Sequence, residues 1–488
     1  MNTTALEVQP NSHHLSTDVL GTLPPAPARV LVLGNKKDFK LQGLKEMGYQ
    51  ITRYPTYHAN DFVQWPTGTR EAIFQVNLAL PESATESFDA AVVLDLSPFV
   101  HPLSLWNQLE KWLARRATVT LIVDYEEKSR PRLENWLEYV SAIGARCGFS
   151  EQERVDDRQS ISPGNTRRTY LKMGSGRWKI HHAKPTDYEA IATLFMSVFG
   201  HPLSRALWQW KYGDGHGNAV VAERNGRLIA HYGGMYRDVI VCGEANWAFQ
   251  ICDVMVHPDE RGVLTRNGAF LLTAATSAEI YGPLGYGFPN GRHADLAEKV
   301  GIGKSMGTMV ELRWQALPDS SFFGTRIKKI EKGNTLYQEK IDSLWGEMAS
   351  DLLNSAVGVR DWKYLSYRYF EHPEIEYEVL MVSKRFTGSP LGTIVLKRVE
   401  NAVELMDIVA PLRNLKVLIQ HARRMVARWG GTELYCWIPK NQLKHFSTLE
   451  GAERDLGIAI PNSSWTNHPR AEIFNDKWWL MSGDTDFR

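Results

Sequence analysis

The groups best placed for chemistry lie between Gln250 and Gly301. The run HPDERGVLTRNGAF, starting at His257, follows an apolar strand-like segment and leads into a helix-like one. A loop entering a helix offers main-chain N–H groups that have no intrahelical acceptor, at the positive end of the helix dipole, and such a place suits a phosphate group. Gly262 and Gly268 permit close approach to the main chain, and Arg261 and Arg266 add positive charge. A basic turn that only caps a helix would have the same composition. Candidate groups for moving protons are Asp253, His257, Tyr286 and His293 in this stretch, with Glu223 and His231 on the hairpin before it. A base needs only to reach its proton directly or through one water. Asp253 reads equally well as a strand aspartate satisfied by main chain.

The elements that position these groups follow from hydrophobic periodicity. Residues 1–28, polar and then rich in Pro and Ala, are expected to form a flexible leader. From Arg29, RVLVLG, YQITRY, SFDAAVVLDL and ATVTLIVDY read as strands, with LQGLKEMG and SLWNQLEKWLARR as helices between them. Strands apolar on both faces that alternate with helices predict a parallel sheet covered on both sides. From Trp178 the order changes to a short strand, then a helix with Ile191, Leu194, Phe195 and Val198 on one face, then a hairpin turning at Asn225-Gly226. ANWAFQICDVMVHP is a further strand, RNGAFLLTAATSAEIYG a helix and GRHADLAEKVG a shorter one. A similar order follows in residues 319–488, and a Trp-Lys-Tyr triplet precedes a strand in both stretches, at Trp210-Lys211-Tyr212 and Trp362-Lys363-Tyr364. The expected fold class is α/β, with a Rossmann-like doubly wound sheet over residues 29–173 and two mixed α/β domains over residues 178–316 and 319–488.

Residues 29–173 resemble a class I S-adenosylmethionine-dependent methyltransferase in RVLVLG, FDAAVVLDLSPFVHP, TLIVDY and RCGF. That resemblance implies glycines after the first strand and an acid at the end of the second. The chain has only Gly34 in the loop GNKKDF, and RYPTY carries no carboxylate, so S-adenosylmethionine binding is not expected. Residues 178–316 are similar to the GNAT family of N-acetyltransferases through AERNGRLIAH, DVMVHPDERG and FPNGRHADLAEKVG. The resemblance implies acetyl-CoA or another acyl-CoA as donor. It places Val254, Val256, Arg261, Gly262, Thr265, Arg266, Asn267, Gly268, Ala269 and Asn290 at the cofactor, and Asp253, Tyr286 and His293 as catalytic candidates. The family's small residues in the loop are replaced here by Leu264 and Arg266, and its Tyr donor to the leaving thiolate by Ala297. Residues 319–488 read as a second, degenerate copy whose loop, LRNLKVLIQ, lacks glycine and is not expected to bind coenzyme A.

With 488 residues, a formal charge of +1 and 43 % hydrophobic content, the chain is expected to be globular, with no basic excess for nucleic acid. No apolar run approaches the roughly 20 residues of a membrane span. Four cysteines without CxxC spacing and no secretory signal at the N-terminus suggest a cytoplasmic protein without a metal site. The expected activity is acyl transfer to a small polar amine such as an amino sugar or sugar nucleotide. A Fem-type aminoacyl transferase and a non-catalytic acyl-CoA-binding protein are the alternatives. The aromatic tail, with Trp478 and Trp479, is expected to be a packed final strand that brings Asp484 and Asp486 near an edge or cleft, although a carbohydrate could stack on such rings.

Overall fold

Short runs of Val, Leu, Ile and Ala build the first sheet. Its strands are β1 (Arg29–Leu33), β2 (Gln50–Tyr54), β3 (Phe88–Leu94), β4 (Leu113–Tyr125), β5 (Phe149–Asp157) and β6 (Gly164–Lys172), in the order β2-β1-β3-β4-β6-β5. The first four pair in parallel, whereas β6 runs antiparallel to both neighbours. Val30 to Leu33 and Ala90 to Leu94 are fully buried, as strands covered on both faces must be. Helices α1 (Leu41–Glu46), α2 (Pro102–Trp112) and α3 (Arg130–Arg146) accompany the sheet. Trp106 on α2 lies against Gly144 on α3, where a Cβ would come within 2.7 Å of the indole, and its Nε1 donates to the Val140 carbonyl at 2.7 Å. The end of the expected leader is packed here: Val19 is fully buried, and Tyr49 donates to the Pro24 carbonyl at 2.9 Å.

In this computed structural model the described residues are 19–34, 41–54, 88–94, 102–125, 130–157, 164–174, 178–261, 268–281, 284–318, 323–463 and 471–487. The chain forms two compact units, Met1–His182 with Val221–Arg227, and Ala183–Val220 with Leu228–Arg488. No helix among the described residues is long and apolar enough to cross a membrane.

After β7 (Lys179–His182), the second unit begins with α4 (Tyr188–Phe199) and α5 (Arg205–Tyr212). Ile191, Leu194 and Phe195 are the buried face of α4, as their spacing predicts. Strands β8 (Gly217–Arg224) and β9 (Arg227–Val241) are joined through Asn225 and Gly226, both at positive φ (52° and 76°), the backbone of a tight hairpin turn. Then come β10 (Glu244–Val256), α6 (Ala269–Tyr281), β11 (Gly285–Tyr286), α7 (Gly291–Val300) and β12 (Gly303–Gln315). The later part of the unit holds β13 (Thr325–Lys329), α8 (Gln338–Asp351), β14 (Ala356–Gly358) and α9 (Trp362–Leu365), which continues into a π turn (Ser366–Phe370). It ends with β15 (Glu378–Lys384), β16 (Pro390–Val399), β17 (Ala402–Val409), α10 (Leu415–Arg428), β18 (Glu433–Pro439), β19 (Ala452–Ser463) and β20 (Trp478–Trp479).

These strands form one sheet rather than two, in the order β13-β15-β16-β17-β18-β12-β19-β11-β10-β9-β14-β20. In each half a long strand pairs in parallel with the strand after the next helix, β10 with β11 and β17 with β18. The final strands are exchanged. β12, from the earlier half, pairs with β18; β19, from the later half, pairs with β11; and β12 and β19 pair with each other. Residues 178–316 and 319–488 are therefore consecutive in sequence but share one sheet. Neither stretch closes its own sheet, because β12 of the earlier one and β19 of the later one each pair with a strand of the other.

Candidate functional site

β10 has a ladder on both sides only as far as Gln250. Its parallel pairing with β11 covers Phe249↔Gly285 and Gln250↔Tyr286, and β10 then continues to Val256 with β9 as its only strand partner among the described residues. Gly287 still lies against Ile251, 3.4 Å from where its Cβ would sit, before the chain turns at Asn290 into α7. On the β9 side the register breaks between Cys252 and Met255, so Asp253 and Val254 leave the ladder as a bulge, with Asp253 at φ +48°. Left-handed backbone at a non-glycine residue persists only where its surroundings hold it.

What holds it is a buried cluster. Lys211, from the last turn of α5, donates to Asp253 Oδ1 at 2.9 Å and to Asp486 Oδ2 at 2.9 Å, and is 3 % exposed. Tyr212 donates to Asp253 Oδ2 at 2.7 Å, and its oxygen is 3.4 Å from Cys252 Sγ. Both carboxylate oxygens of Asp253 are thus engaged. Burial opposes the Lys211 charge, but Asp253 and Asp486 outweigh it and hold the ammonium well above the ordinary lysine range. Burial would raise the Asp253 carboxyl, but Lys211 outweighs that and holds it below its usual value. Such a carboxylate is a weakened base. Cys252, Asp253 and Asp486 bring possible metal-ligating atoms within 4.8 Å of one another, yet the Lys211 ammonium already bonds both carboxylates, and burial raises the Cys252 thiol. The positive charge of this site is built into the chain.

His231, on β9, is 1 % exposed and meets the bulge through main chain, with Nδ1 2.7 Å from the Asp253 carbonyl oxygen. A carbonyl only accepts, so Nδ1 carries the hydrogen. Burial pushes the imidazole below its usual pKa despite Asp253 nearby, which leaves the ring neutral and Nε2 with a bare lone pair. That Nε2 is buried and has no hydrogen-bond partner among the described residues.

A second cluster of the same form lies on β17. Arg360, fully buried, donates to Asp407 Oδ1 at 2.8 Å, to the Gly358 carbonyl at 2.8 Å and to Asp484, while Tyr369 donates to Asp407 Oδ2 at 2.9 Å. Arg237 Nη2 is 3.6 Å from Asp484 Oδ1, and its guanidinium lies 3.2 Å from the centre of the Tyr364 ring. Arg368 fixes the C-terminal segment by donating to the Gly483 carbonyl at 3.0 Å and the Thr485 carbonyl at 2.9 Å. Gly483 passes so close to the Tyr369 hydroxyl and the Met406 carbonyl that no side chain fits.

Of the residues singled out by sequence, Asp253 is at this centre. Val254 and Val256 are half-buried on the free stretch of β10. Arg261 is exposed and donates through Nε to the Val256 carbonyl at 2.9 Å, while His257 accepts from the Asp259 N–H and stiffens the strand exit. Gly262, Thr265, Arg266 and Asn267 lie outside the described residues. Gly268 and Ala269 are buried at the start of α6. Asn290 is the N-cap of α7, its side chain accepting from His293 N at 3.1 Å, which is a sufficient structural reason for an asparagine there. His293 stands exposed on the first turn of α7, where burial, then Arg261 and Arg292, push it below its usual value. Glu223 lies 3.6 Å from His181 in the first unit. Tyr286 is fully buried, donates to Gln250 Oε1 at 3.3 Å and stacks on Trp478 at 4.7 Å. Its hydroxyl belongs to the core, which corrects the expectation of a catalytic Tyr286. Ala297 is half-buried in the cluster around Leu271 and Ile302, so no hydroxyl is supplied from that position.

Lys211, Asp486 and Arg292 were missed as site residues. Lys211 and Tyr212 belong to the repeated triplet, but nothing in their spacing signals burial. Trp478 and Trp479 are each 1 % exposed, so the tail offers a carbohydrate no face on which to stack. In the first unit, Gly34 at the end of β1 packs closely against Leu94 of β3. A Cβ on Gly34, at φ +127°, would meet the Leu94 carbonyl at 2.5 Å, and Arg53, near the end of β2, donates to the Gly34 carbonyl at 3.0 Å.

Comparison with known proteins names part of this architecture. Residues 179–288 match the family model described as the acetyltransferase (GNAT) domain. Among solved structures, a probable N-acyltransferase from Enterococcus faecalis V583 is similar with 12 % identity and a TM-score of 0.47, over 59 % of this chain and 73 % of that one. A GCN5-related N-acetyltransferase from Anabaena variabilis has 13 % identity and a TM-score of 0.44, over 60 % and 74 %. The N-myristoyltransferase of Saccharomyces cerevisiae, solved with myristoyl-CoA, has 8 % identity and a TM-score of 0.42, over 58 % and 79 %. No curated protein matches the chain.

Proposed function

We propose that the chain is an acyl-CoA-dependent N-acyltransferase acting on a small polar amine, with residues 228–288 of the second unit contributing its donor-binding part. The observation that carries this reading is the edge of β10 beyond Gln250, without a second strand partner among the described residues and bulged at Asp253. Main-chain N–H groups on a free edge can hold a thioester carbonyl as negative charge develops on its oxygen. Exposed Arg261 and Arg292, both acting on His293, suit the phosphates of the carrier. The donor, when bound, supplies an activated acyl carbon. The amine nitrogen attacks that carbon, the C–S bond breaks, and the proton lost by the amine goes to His231 Nε2, directly or through a water. Asp253 orients that base through its carbonyl rather than acting as the base, because its carboxylate oxygens already accept from Lys211 and Tyr212. With alanine at residue 297, the leaving thiolate takes its proton from the imidazolium or from solvent.

The second half reads best as a degenerate copy of the same fold. It repeats the parallel strand pair and the aspartate on a strand that exits at a proline, Asp407 before Pro411 as Asp253 before Pro258. The first unit reads as a methyltransferase-like domain that has lost its ligand contacts.

The test is calorimetry with acetyl-CoA and longer acyl-CoAs, followed by a thiol-release assay with a panel of amines. His231→Gln is expected to lower kcat about 10²- to 10⁴-fold with donor affinity unchanged. The wild-type acid limb should fall below the usual histidine value of about 6.5, because burial lowers this imidazole. Donor binding with no thiol released by any amine would instead mark a non-catalytic acyl-CoA-binding protein.

A further inference from the structure

The two buried clusters share a plan that extends beyond strand order. In each, an aspartate on the long strand of a parallel pair accepts from one cation and one tyrosine: Asp253 from Lys211 and Tyr212, Asp407 from Arg360 and Tyr369. Each strand has an irregular register there, between Cys252 and Met255 on β10 and opposite Val395 and Leu396 on β17. In each, the cation's second carboxylate comes from the last residues of the chain, Asp486 for Lys211 and Asp484 for Arg360. The C-terminal segment therefore supplies one carboxylate to each half, two residues apart, while Arg368 grips the carbonyls of Gly483 and Thr485 on either side of Asp484.

The two clusters differ in charge. Asp407 and Asp484 face Arg360 and also Arg237, so the pair of carboxylates meets a pair of cations. Asp253 and Asp486 face Lys211 alone among the described residues. Cys252, Tyr212 and neutral His231 complete the immediate surroundings, and Tyr367 and His372 are close enough to interact electrostatically with Lys211. With Lys211 the one cation paired with them among the described residues, each carboxylate there sets how strongly Lys211 keeps its proton and how firmly it holds the bulge.

We infer that Asp486 is a positioning residue of the transfer site: through Lys211 it fixes the Asp253 bulge, and with it the carbonyl that orients His231. The inference rests on the acyl-transfer reading above and deepens it by making the C-terminal segment a working part of the site. Asp486 need not touch substrate. Two carboxylates hold the Lys211 ammonium, each at 2.9 Å, and with one removed the ammonium faces burial with a single counter-charge, so the bulge loses its fixed anchor.

The experiment compares Asp486→Asn, Asp486→Glu and Asp484→Asn in the full chain by donor calorimetry, thermal melting and the pH dependence of kcat. Asp486→Asn is expected to keep donor affinity and lose kcat about 10- to 100-fold, the size expected when a reacting geometry loosens by about 1 Å. Its kcat should acquire an alkaline limb at lower pH than wild type, because Lys211 with one counter-charge gives up its proton more easily. Asp486→Glu, which restores the charge, should recover much of kcat and move the limb back. Asp484→Asn disturbs the tail without touching Lys211, so it should lower the melting temperature without moving the limb. If Asp486→Asn keeps wild-type kcat and pH profile, or if it and Asp484→Asn lose activity equally with the limb unmoved, the tail is only a structural clasp and the inference is wrong. Wild-type protein that releases no thiol overturns the acyl-transfer reading itself, and this inference with it.

Discussion

Arg360→Met tests the second cluster most directly. The arginine is fully buried, and replacing it with an uncharged side chain of similar length removes hydrogen bonds to Asp407, Asp484 and the Gly358 carbonyl while leaving two carboxylates in the same buried space. Removing one partner of a buried ion pair costs about 3–5 kcal/mol. Here the variant has a partial escape, because the orphaned carboxylates can take up protons. Burial already raises Asp407 above its usual value even with Arg360 present, and it will rise further without it. A carboxyl with a raised folded-state pKa contributes stability that is present below its unfolded value of about 3.9 and lost as pH climbs through the folded value. The destabilisation should therefore be full at pH 8 and shrink towards about 1–2 kcal/mol of lost hydrogen bonding near pH 4. Urea titrations of wild type, Arg360→Met and Arg360→Lys at several pH values, followed by tryptophan fluorescence, would measure it, with the lysine variant recovering part of the loss. A cost below about 1 kcal/mol at pH 8, or one that grows on acidification, would refute the description of this centre as a buried, charge-paired core.

Two further outcomes follow from packing. Trp478→Ala should cost about 3–5 kcal/mol of stability in denaturant titration, because the indole lies between Tyr286 (4.7 Å) and Phe474 (5.6 Å) and donates to Asn462 Oδ1 at 2.8 Å; a near-neutral effect would contradict its burial. Calorimetry with S-adenosylmethionine should show no binding, since the sequence after β1 offers Gly34 alone and β2 ends without a carboxylate; a micromolar affinity would overturn that reading of the first unit.

Local physics made most elements readable from the chain alone. Apolar runs mark β1, β3 and β4, the spacing of Ile191, Leu194 and Phe195 marks a helix face, and Asn225-Gly226 marks a hairpin, because each depends on neighbours a few residues away. Asp253 was visible as a titratable group on the right strand. Its condition was not: the partner that weakens it as a base lies 42 residues earlier, and the carboxylate sharing that partner is 275 residues from Lys211. Lys211, Arg360 and Arg368 look like surface residues in any window, since hydropathy cannot distinguish a charge facing water from one neutralised in the core. The exchange of β12 and β19 is equally invisible, because strand pairing is chosen by the whole sheet and not by either strand's own pattern. The sequence by itself determined most of the elements and the alanine at residue 297. Only the tertiary structure decided that Tyr286 is core, that Asp253 is an anchor, and that the end of the chain returns to complete two buried centres, because unlike charges far apart in sequence meet only after the sheet has closed.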